Sequence, residues 1–353
     1  MTGSRSVTAE FLVTLSTVCA FLCIGCGMTA SDDAEFSFVG VEMTGYELRS
    51  GSSPALTELV DGLTEGQVSV SFESAAVHCV DSAGCLQALQ AGELDIARVK
   101  LDDIATLFPE LQVLEVPYLI ESARVAELVF TGTFFSRMRD AILDRTGLRL
   151  MAVSNIGGWR HIANDVRELR VPEDLEGLKF QTAKVPVHIE TTRALGASPA
   201  GVSGDTLILN DLAVEPSKGL RTGIIDLLKR VPETRPTFLT VDRHAYIIGL
   251  WLMNERSYRL MPLDLQQIVQ LGFDELRRIT LSFPDNREAA ALDVFRADGG
   301  QVYVPTADEH RAFVTAAGRV STWFMDAYGY EWLVWLEGAI AEAERELSAS
   351  SRQ

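Results

Sequence analysis

Histidine and cysteine are scarce in this chain of 353 residues, which contains five of each. The histidines show no metal-ligand spacing and lie at His78, His161, His188, His244 and His310. The sequence also lacks a Gly-x-Ser-x-Gly elbow, a His-Glu-x-x-His motif and a phosphate-binding loop. These absences give a catalytic function little support. We therefore predict that the protein is not an enzyme and that it has no metal site and no cofactor.

Basic residues are also few. The chain has 31 Lys and Arg against 49 Asp and Glu, and its formal net charge is −18. Such a chain does not suit nucleic acid, whose phosphates need a basic face. It does not suit electrostatic adhesion to anionic lipid either, so any membrane attachment must come from the N-terminus. The apolar content of 47% is ample for the core of one large or two medium domains.

Charged residues are absent from positions 11–30, where apolar residues cluster. This run fits the hydrophobic region of a signal peptide over residues 1–25. The run includes Leu22-Cys23-Ile24-Gly25-Cys26, which resembles a bacterial lipobox. We predict Cys26 as the lipidated first residue of the mature protein and 26–35 as a tether. The alternatives are an uncleaved membrane anchor and cleavage without lipidation. All three place the remaining chain outside the cytoplasm, and we predict a periplasmic, membrane-anchored lipoprotein.

Two cysteines, Cys79 and Cys85, remain once the N-terminal cysteines are assigned to the signal and to lipid. An even pair in an oxidising compartment predicts a disulfide. The alternatives are two reduced thiols or a metal-binding pair. A metal pair is disfavoured because only His78 lies nearby and no second pair of ligands exists.

Hydrophobic periodicity alternates between the patterns of strands and helices. In the first 100 residues it predicts strands at 35–42, 67–72 and 94–99 and helices at 53–62 and 84–90. This β-α-β-α-β order indicates a mostly parallel sheet in an α/β fold. Farther along the chain it predicts strands at 148–153 and 241–253 and helices at 127–145, 185–195, 262–282 and 332–347. Thr306, with Glu309 at the capping-box position, predicts the start of one more helix.

Three short segments carry a family resemblance. Gly157-Gly158-Trp159-Arg160 reads as a turn that presents a cation. Pro172-Glu173-Asp174 opens a short helical turn that ends at Gly177. The third segment runs from Gly223 to Asp226. In this order and spacing the segments resemble the substrate-binding subunits of TRAP transporters, the DctP-like family, and the resemblance covers most of residues 36–345.

The resemblance implies a two-lobed α/β periplasmic binding protein, class II-like and of the TRAP type, with crossing strands and long connecting helices. Lobe 1 would comprise residues 36–157 with about 246–285, and lobe 2 would comprise 158–245 with about 286–350. The interval between Pro199 and Glu215 is longer than in the family, which predicts an inserted hairpin or loop near 201–210.

The resemblance also implies a ligand cleft. The family holds a carboxylate with an Arg at the position of Gln181, and a neutral amide cannot supply that charge. Arg160 matches a second family Arg, Arg230 falls on or near a ligand-contacting Asn, and Glu215 begins a matching element. Lys184 lies three residues beyond the Gln. The cationic charge is therefore either relocated or lost. The competing interpretations are a salt bridge between the lobes for Arg160 and solvated surface positions for Arg230 and Lys184.

Apolar side chains also match positions near the implied cleft. Trp159 and Tyr246 would line it, and Leu227 and Leu228 stand where the family has polar residues. The competing interpretation of the aromatic pair is an ordinary core position. If these residues line the cleft, they favour an apolar pocket.

The predicted function is that of a solute-binding lipoprotein of a TRAP-type secondary transporter. It would capture a small, hydrophobic ligand by hinge closure and deliver it to a membrane permease. One alternative is an interaction scaffold with a vestigial cleft, and another is a binder of an ordinary carboxylate through relocated basic residues. The resemblance further implies a tetratricopeptide-repeat periplasmic protein as a partner.

Overall fold

The computed structural model describes residues 34–42, 52–201, 218–281 and 285–351. The predicted signal peptide, the lipidation site Cys26, Glu215 and most of the predicted insertion lie outside the described residues. Within the described ranges, no helix has both the length and the apolar content that a membrane span requires.

Nine strands occur in the described residues, and all belong to one sheet. They are β1 (Phe36–Glu42), β2 (Val68–Glu73), β3 (Ile96–Lys100), β4 (Leu148–Asn164), β5 (Lys179–Thr182), β6 (Ser198–Gly201), β7 (Gly219–Gly223), β8 (Phe238–Asn254) and β9 (Gln301–Tyr303). The same ranges contain the helices α1 (Ser52–Leu63), α2 (Ala75–His78), α3 (Ser82–Ala91), α4 (Leu101–Ile104), α5 (Ala123–Val129), α6 (Thr133–Thr146), α7 (Pro186–Ala194), α8 (Ile224–Lys229), α9 (Glu255–Leu260), α10 (Leu263–Leu281), α11 (Asp285–Ala297), α12 (Ala307–Ala317), α13 (Arg319–Tyr328) and α14 (Glu331–Ser350). Three 3-10 helices span Pro109–Glu115, Pro172–Leu175 and Pro232–Thr234.

The order of strands divides the sheet into two parallel halves joined by two long strands. The order is β2-β1-β3-β8-β4-β7-β5-β6, with β9 beside β8. In the half that we call lobe 1, β1 pairs in parallel with β2 and β3. In the half that we call lobe 2, β5 pairs in parallel with β6 and β7. The 17-residue strands β4 and β8 run antiparallel from one half to the other. The exact lobe boundaries stay a prediction.

Buried apolar residues cover both faces of each half. In lobe 1, α10 follows the helical period with Leu265, Val269, Phe273 and Leu276 facing the sheet. Gly272 lets this helix approach α1 closely, because a Cβ there would lie 3.3 Å from a methyl group of Val60. In lobe 2, the two faces are filled around Phe180 and around Leu227. The last helix, α14, which we assigned to lobe 2, packs on α5 and α6 of lobe 1.

Most of the predicted elements are confirmed with small shifts of their ends. The parallel β-α-β-α-β start is present. Helix α3 ends at Gly92, which adopts φ +78°, as a C-terminal glycine commonly does. Thr306 and Glu309 form the predicted capping box of α12. Cys79 and Cys85 are joined by a disulfide, with 5.0 Å between their Cα atoms.

Two predictions of local structure are wrong. The single helix predicted over 127–145 is two helices, α5 and α6, because Gly132 caps the second one and the chain changes direction there. The segment from Gly157 to Arg160 is not a turn but lies inside β4. The Asn155 side chain accepts hydrogen bonds from the two glycine amides, and Gly158 adopts φ +76°. A bulge absorbs the irregularity that we expected to end the strand.

Candidate functional site

The carboxyl ends of strands from the two lobes meet at one junction, which we call the cleft. In lobe 1, β3 ends at Lys100 and leads into α4. In lobe 2, β5 leads into α7 after a short turn, and β7 leads directly into α8. Ligands in open α/β sheets bind outside the carboxyl ends of the strands. The polar side chains that meet at this junction therefore define the candidate site: Asp102, Glu115, Arg160, His188 and Arg221.

Arg160 lies in β4 and forms a two-pronged ion pair with Glu115. Its Nε donates to Glu115 Oε2 over 3.1 Å, and its Nη2 donates to Oε1 over 3.2 Å. The Glu115 side chain is only 3% exposed, while that of Arg160 is 19% exposed. Burial opposes the charge on Arg160, but Glu115 and Asp102 outweigh it and raise its pKa. Arg160 is therefore a firmly charged cation at the cleft.

Arg221 lies in β7 and contacts His188 rather than an acid. Its Nη2 donates to His188 Nδ1 over 2.9 Å and to the His188 carbonyl oxygen over 3.0 Å. Among the described residues, no carboxylate forms a salt bridge with Arg221. Burial, followed by the like charge of Arg160, lowers the pKa of Arg221 to about 10, although Glu115 and Asp242 act in the opposite direction. Arg221 stays protonated at neutral pH, and its charge is poorly compensated.

His188 links this guanidinium to lobe 1. Its Nε2 lies 2.9 Å from Asp102 Oδ1, and a carboxylate accepts, so the ring carries its proton on Nε2. Its Nδ1 is then the lone-pair nitrogen that Arg221 requires. Burial favours the neutral acid at Asp102, but His188 and Arg160 outweigh burial and lower the pKa of Asp102.

A second polar cluster lies in an irregular part of β8. Asp242 and His244 are buried, and Asp242 Oδ2 accepts from the Tyr118 hydroxyl over 2.7 Å and from His244 Nδ1 over 2.8 Å. Burial lowers the pKa of His244, so the ring is neutral. Arg243, at φ +52°, donates to Glu288 over 2.6 Å. This cluster uses only Oδ2 of Asp242; Oδ1 of Asp242 and Nε2 of His244 are buried without a hydrogen-bond partner in the described residues.

Asp102, Glu115 and His188 also satisfy the spacing of a metal site, with one ligand atom from each lying within 4.8 Å of the others. The sequence spacing did not reveal this group, because its members come from three separate elements. The donor atoms do not fit a metal ion. Arg160 already donates to both oxygens of Glu115, and His188 already presents a proton to Asp102. The carboxylate oxygens of this group accept hydrogen bonds from the nitrogen atoms of Arg160 and His188.

Comparisons with known proteins test the family resemblance. The profile described as "DctP: Bacterial extracellular solute-binding protein, family 7" matches residues 51–208. A solute-binding protein of Verminephrobacter eiseniae is 26% identical over 246 residues, 69% of this chain and 71% of that protein. The 2,3-diketo-L-gulonate-binding periplasmic protein YiaO of Escherichia coli is 22% identical over 299 residues, 82% of this chain and 87% of that protein.

The resemblance to the DctP family is confirmed.

The solved structures of the family confirm the fold as well. A TRAP periplasmic solute-binding protein of Ralstonia eutropha, crystallised with (S)-2-acetolactate, superposes with a TM-score of 0.74 at 21% identity. The superposition covers 87% of this chain and 99% of that one. The predicted two-lobed α/β architecture is therefore correct.

The residues predicted from the DctP resemblance divide between cleft and core. Arg160 reaches the cleft, and its expected alternative role in a salt bridge is also realised through Glu115. Gln181 is partly buried near the end of β5, and its side chain makes no hydrogen bond to the described residues. Trp159 and Tyr246 are buried with ring centroids 4.9 Å apart. The core interpretation describes this aromatic pair.

Among the described residues, the two leucines and the two candidate relocated cations make no hydrogen bond or ion pair with the cluster. Leu227 is fully buried in the core of lobe 2, and Leu228 packs beside it. The Leu227 side chain packs among apolar residues of the sheet, α8 and α11, which favours a core position in this structure. Lys184 is exposed, and Arg230 is partly buried at the end of α8. Burial lowers the pKa of Arg230, and Asp226 opposes the shift.

Sequence reasoning missed Arg221, His188 and Asp102 as site residues. One signal was available: Arg221 is a charged residue in a short apolar strand, between Leu220 and Thr222, which are both buried. His161, one of the five histidines, is fully buried in β4, and its Nε2 lies 2.7 Å from Glu288 Oε1.

Proposed function

We propose that this protein is an extracytoplasmic solute-binding protein whose cleft captures a small carboxylate. Arg160 and Arg221 would hold the carboxylate, and closure of the lobes would sequester it for delivery to a TRAP permease. The observation that carries the proposal is the environment of Arg221, a largely buried cation whose bonded partner is a neutral imidazole. An anionic guest supplies the missing countercharge.

The arrangement of the nearby acids supports this reading. Asp102 is committed to His188, Asp242 to Tyr118 and His244, and Glu115 to Arg160. Each carboxylate therefore has its own partner, and none forms an ion pair with Arg221. Within the described residues, Arg221 makes its hydrogen bonds through Nη2 alone, so its Nε and Nη1 are available to a planar acceptor.

The ligands named for two relatives support a carboxylate as the ligand class. YiaO is named for 2,3-diketo-L-gulonate, and the Ralstonia protein was crystallised with (S)-2-acetolactate. Both solutes are carboxylates. In this chain the family clamp position holds Gln181, and Arg221 would supply the displaced charge from the neighbouring strand. The sequence analysis offered a carboxylate binder with relocated basic residues as an alternative. This proposal adopts that alternative, with Arg221 as the relocated cation in place of Arg230 or Lys184.

The hydrophobic ligand is the weaker candidate. Its support was the neutral Gln181 together with Leu227 and Leu228, and Leu227 packs in the core. Gln181 alone still favours it. The scaffold hypothesis keeps both of its supports, the missing clamp and the predicted insertion near 201–210, most of which lies outside the described residues.

The N-terminal features complete the proposal. Cys26 would carry lipid and hold the protein at the membrane surface, where it would meet the permease subunits. A tetratricopeptide-repeat protein would be a further periplasmic partner. Mass spectrometry of the purified full chain tests the anchor, since lipidation adds acyl mass at Cys26.

The binding test compares carboxylates with neutral analogues on the full chain. We expect succinate or (S)-2-acetolactate to bind, and succinamide not to bind, in isothermal titration calorimetry. Arg221→Gln should weaken carboxylate binding about 30-fold, because it removes hydrogen bonds to a charged group. Arg230→Gln is the matched control and should change affinity less than about threefold.

Two outcomes would contradict the proposal. Binding of neutral apolar solutes that Arg221→Gln leaves unchanged would favour the hydrophobic ligand. Failure of every solute in a broad panel, with a correctly folded protein, would favour the scaffold.

A further inference from the structure

The hydrogen bond between Asp102 and His188 crosses the cleft. Asp102 lies in α4, directly after β3 of lobe 1, and His188 lies in the first turn of α7 in lobe 2. A second bond crosses beside it: Gln112 Oε1 of lobe 1 accepts from the Val187 amide over 3.0 Å. Lobe 1 thus holds two consecutive residues of α7. Of these two hydrogen bonds, only the one from His188 to Asp102 involves a side chain that also bonds Arg221.

The hydrogen bond from His188 to Asp102 determines which tautomer His188 adopts, and the tautomer determines whether His188 can accept from Arg221. When Asp102 accepts from His188 Nε2, the proton is fixed on that nitrogen and Nδ1 keeps its lone pair. Arg221 Nη2 then has an acceptor at 2.9 Å. Without Asp102, the imidazole is free to carry its proton on Nδ1, and that tautomer presents a donor to a donor. Opening of the lobes would therefore remove the restraint on the Arg221 guanidinium.

We propose that His188 is a positioning residue that couples closure of the lobes to the orientation of Arg221. The proposal rests on the proposed role of Arg221 in carboxylate binding. Asp102, from the opposite lobe, selects the His188 tautomer, and the tautomer holds Nη2 of Arg221. The remaining donors of the guanidinium then face the solute in one orientation. The same bond favours the closed form before a solute arrives.

The arrangement distinguishes this role from a structural one. The Asp102 side chain is 24% exposed, and that of His188 is 4% exposed, so the bond lies at the edge of the cleft. His188 is also anchored independently of Asp102, because its amide donates to the Val185 carbonyl oxygen over 3.0 Å. The backbone of α7 should keep its place when Asp102 is replaced. The ring alone should lose its fixed tautomer.

The test uses the full chain without any solute. Spin labels replace the exposed residues Glu58 of lobe 1 and Glu176 of lobe 2 through a non-canonical amino acid, which spares the disulfide. Distances between the labels report closure, and selective ¹⁵N-histidine NMR reports the His188 tautomer. We expect Asp102→Ala to lower the ratio of closed to open forms about tenfold, the effect of one hydrogen bond to a charged group. The NMR spectrum should change from the Nε2–H tautomer to a mixture.

Conservative variants separate positioning from folding. Asp102→Asn keeps an acceptor, and His188→Gln keeps one donor and one acceptor, so both should recover most of the closed form. His188→Phe should behave like Asp102→Ala. Glu190→Gln alters an acid on the same helix that bonds only Arg193 in the described residues, and it should change nothing. Thermal melting checks that each variant is folded.

The outcomes are distinct from those of the binding test. An unchanged tautomer and unchanged label distances in Asp102→Ala would overturn the coupling, whatever the protein binds. A changed tautomer and a more open protein in Asp102→Ala, together with a wild-type protein that binds no carboxylate, would keep the contact and reject the role of Arg221 in binding.

Discussion

Each lobe places a buried arginine near the cleft, and the two arginines are compensated in opposite ways. In lobe 1, Arg98 pairs with Glu42 and also donates to the Ser52 hydroxyl over 2.5 Å. The side chains of this pair are 4% and 1% exposed. In lobe 2, Arg221 contacts a neutral histidine and, among the described residues, forms no salt bridge. Arg98 is therefore neutralised within lobe 1, whereas Arg221 has no carboxylate partner among the described residues of lobe 2 and can pair with an anionic ligand.

The difference indicates which arginine serves folding and which serves binding. A buried cation with its own carboxylate, hydroxyl and aromatic neighbours has no charge left for a guest; Arg98 also lies 5.4 Å from the ring centre of Trp251. A buried cation with a neutral partner lowers the stability of the folded state unless an anion compensates its charge. We therefore expect replacement of Arg98 to damage stability and replacement of Arg221 to damage binding.

The largest expected effect tests the lobe 1 side of this comparison. Arg98→Met should lower the free energy of unfolding by about 3–5 kcal/mol, because it leaves the Glu42 carboxylate buried without its cation. Urea denaturation followed by tryptophan fluorescence measures the loss. The double variant Glu42→Gln with Arg98→Met should recover part of it.

An exposed pair in the same lobe provides the control. Arg278 bonds Glu275 one turn away on α10, and the side chains are 65% and 38% exposed. Arg278→Met should change stability by less than about 0.5 kcal/mol. If Arg98→Met were equally harmless, the pair in lobe 1 would not be the structural element that the comparison requires.

The second prediction concerns an acid in lobe 1 that is not neutralised. Oδ2 of Asp103 is buried and has no hydrogen-bond partner in the described residues. Burial, followed by the charge of Asp102, raises the pKa of Asp103 to about 6. The folded protein then binds this proton more tightly than the unfolded chain does. Stability therefore falls as pH rises from about 4 to about 6, and the loss persists above that range.

Asp103→Asn should reverse this loss. It should raise the free energy of unfolding at pH 7 by about 2 kcal/mol, and the gain should vanish below about pH 4, where the wild-type acid is also neutral. Urea denaturation at several pH values measures it. A gain that is the same at pH 3.5 and pH 7 would show that the effect is packing and not charge.

The sequence alone predicted those helix ends that are set by residues within one turn of the end. Gly92 at the end of α3 and the capping box of Thr306 and Glu309 depend on residues within one turn, so spacing reveals them. The family resemblance supplied the lobes and Arg160. In β4, local signals failed: the glycines at 157 and 158 indicated a turn, but they lie in a bulge, and the strand pairs with β8 before and after it and with β7 from Arg160 onward.

The partners of Arg221 could not be predicted, because they are distant in sequence. His188 lies 33 residues from it, and Asp102 lies a further 86 residues away. The helix and the strand ends that bring them together are set by the packing of two lobes. The sequence offered two relocated cations: Lys184, three residues beyond Gln181, and Arg230, on or near the family's ligand-contacting Asn. The sheet instead pairs Gln181 with Leu220, and Arg221 is the next residue on that neighbouring strand, with its side chain on the opposite face of the sheet.

The smallest expected effect sharpens this last point. Lys184 is exposed on the turn after β5 and forms no ion pair in the described residues. A solvated charge acts on the cleft only over distances that salt screens, about 8 Å at physiological ionic strength. Lys184→Ala should therefore change the affinity for (S)-2-acetolactate less than about twofold, against the far larger loss in Arg221→Gln. Titrations at low and physiological salt measure both variants under the same conditions. A loss above tenfold in Lys184→Ala would move the carboxylate to the end of β5, beside Gln181, and would make Arg221 a structural cation like Arg98.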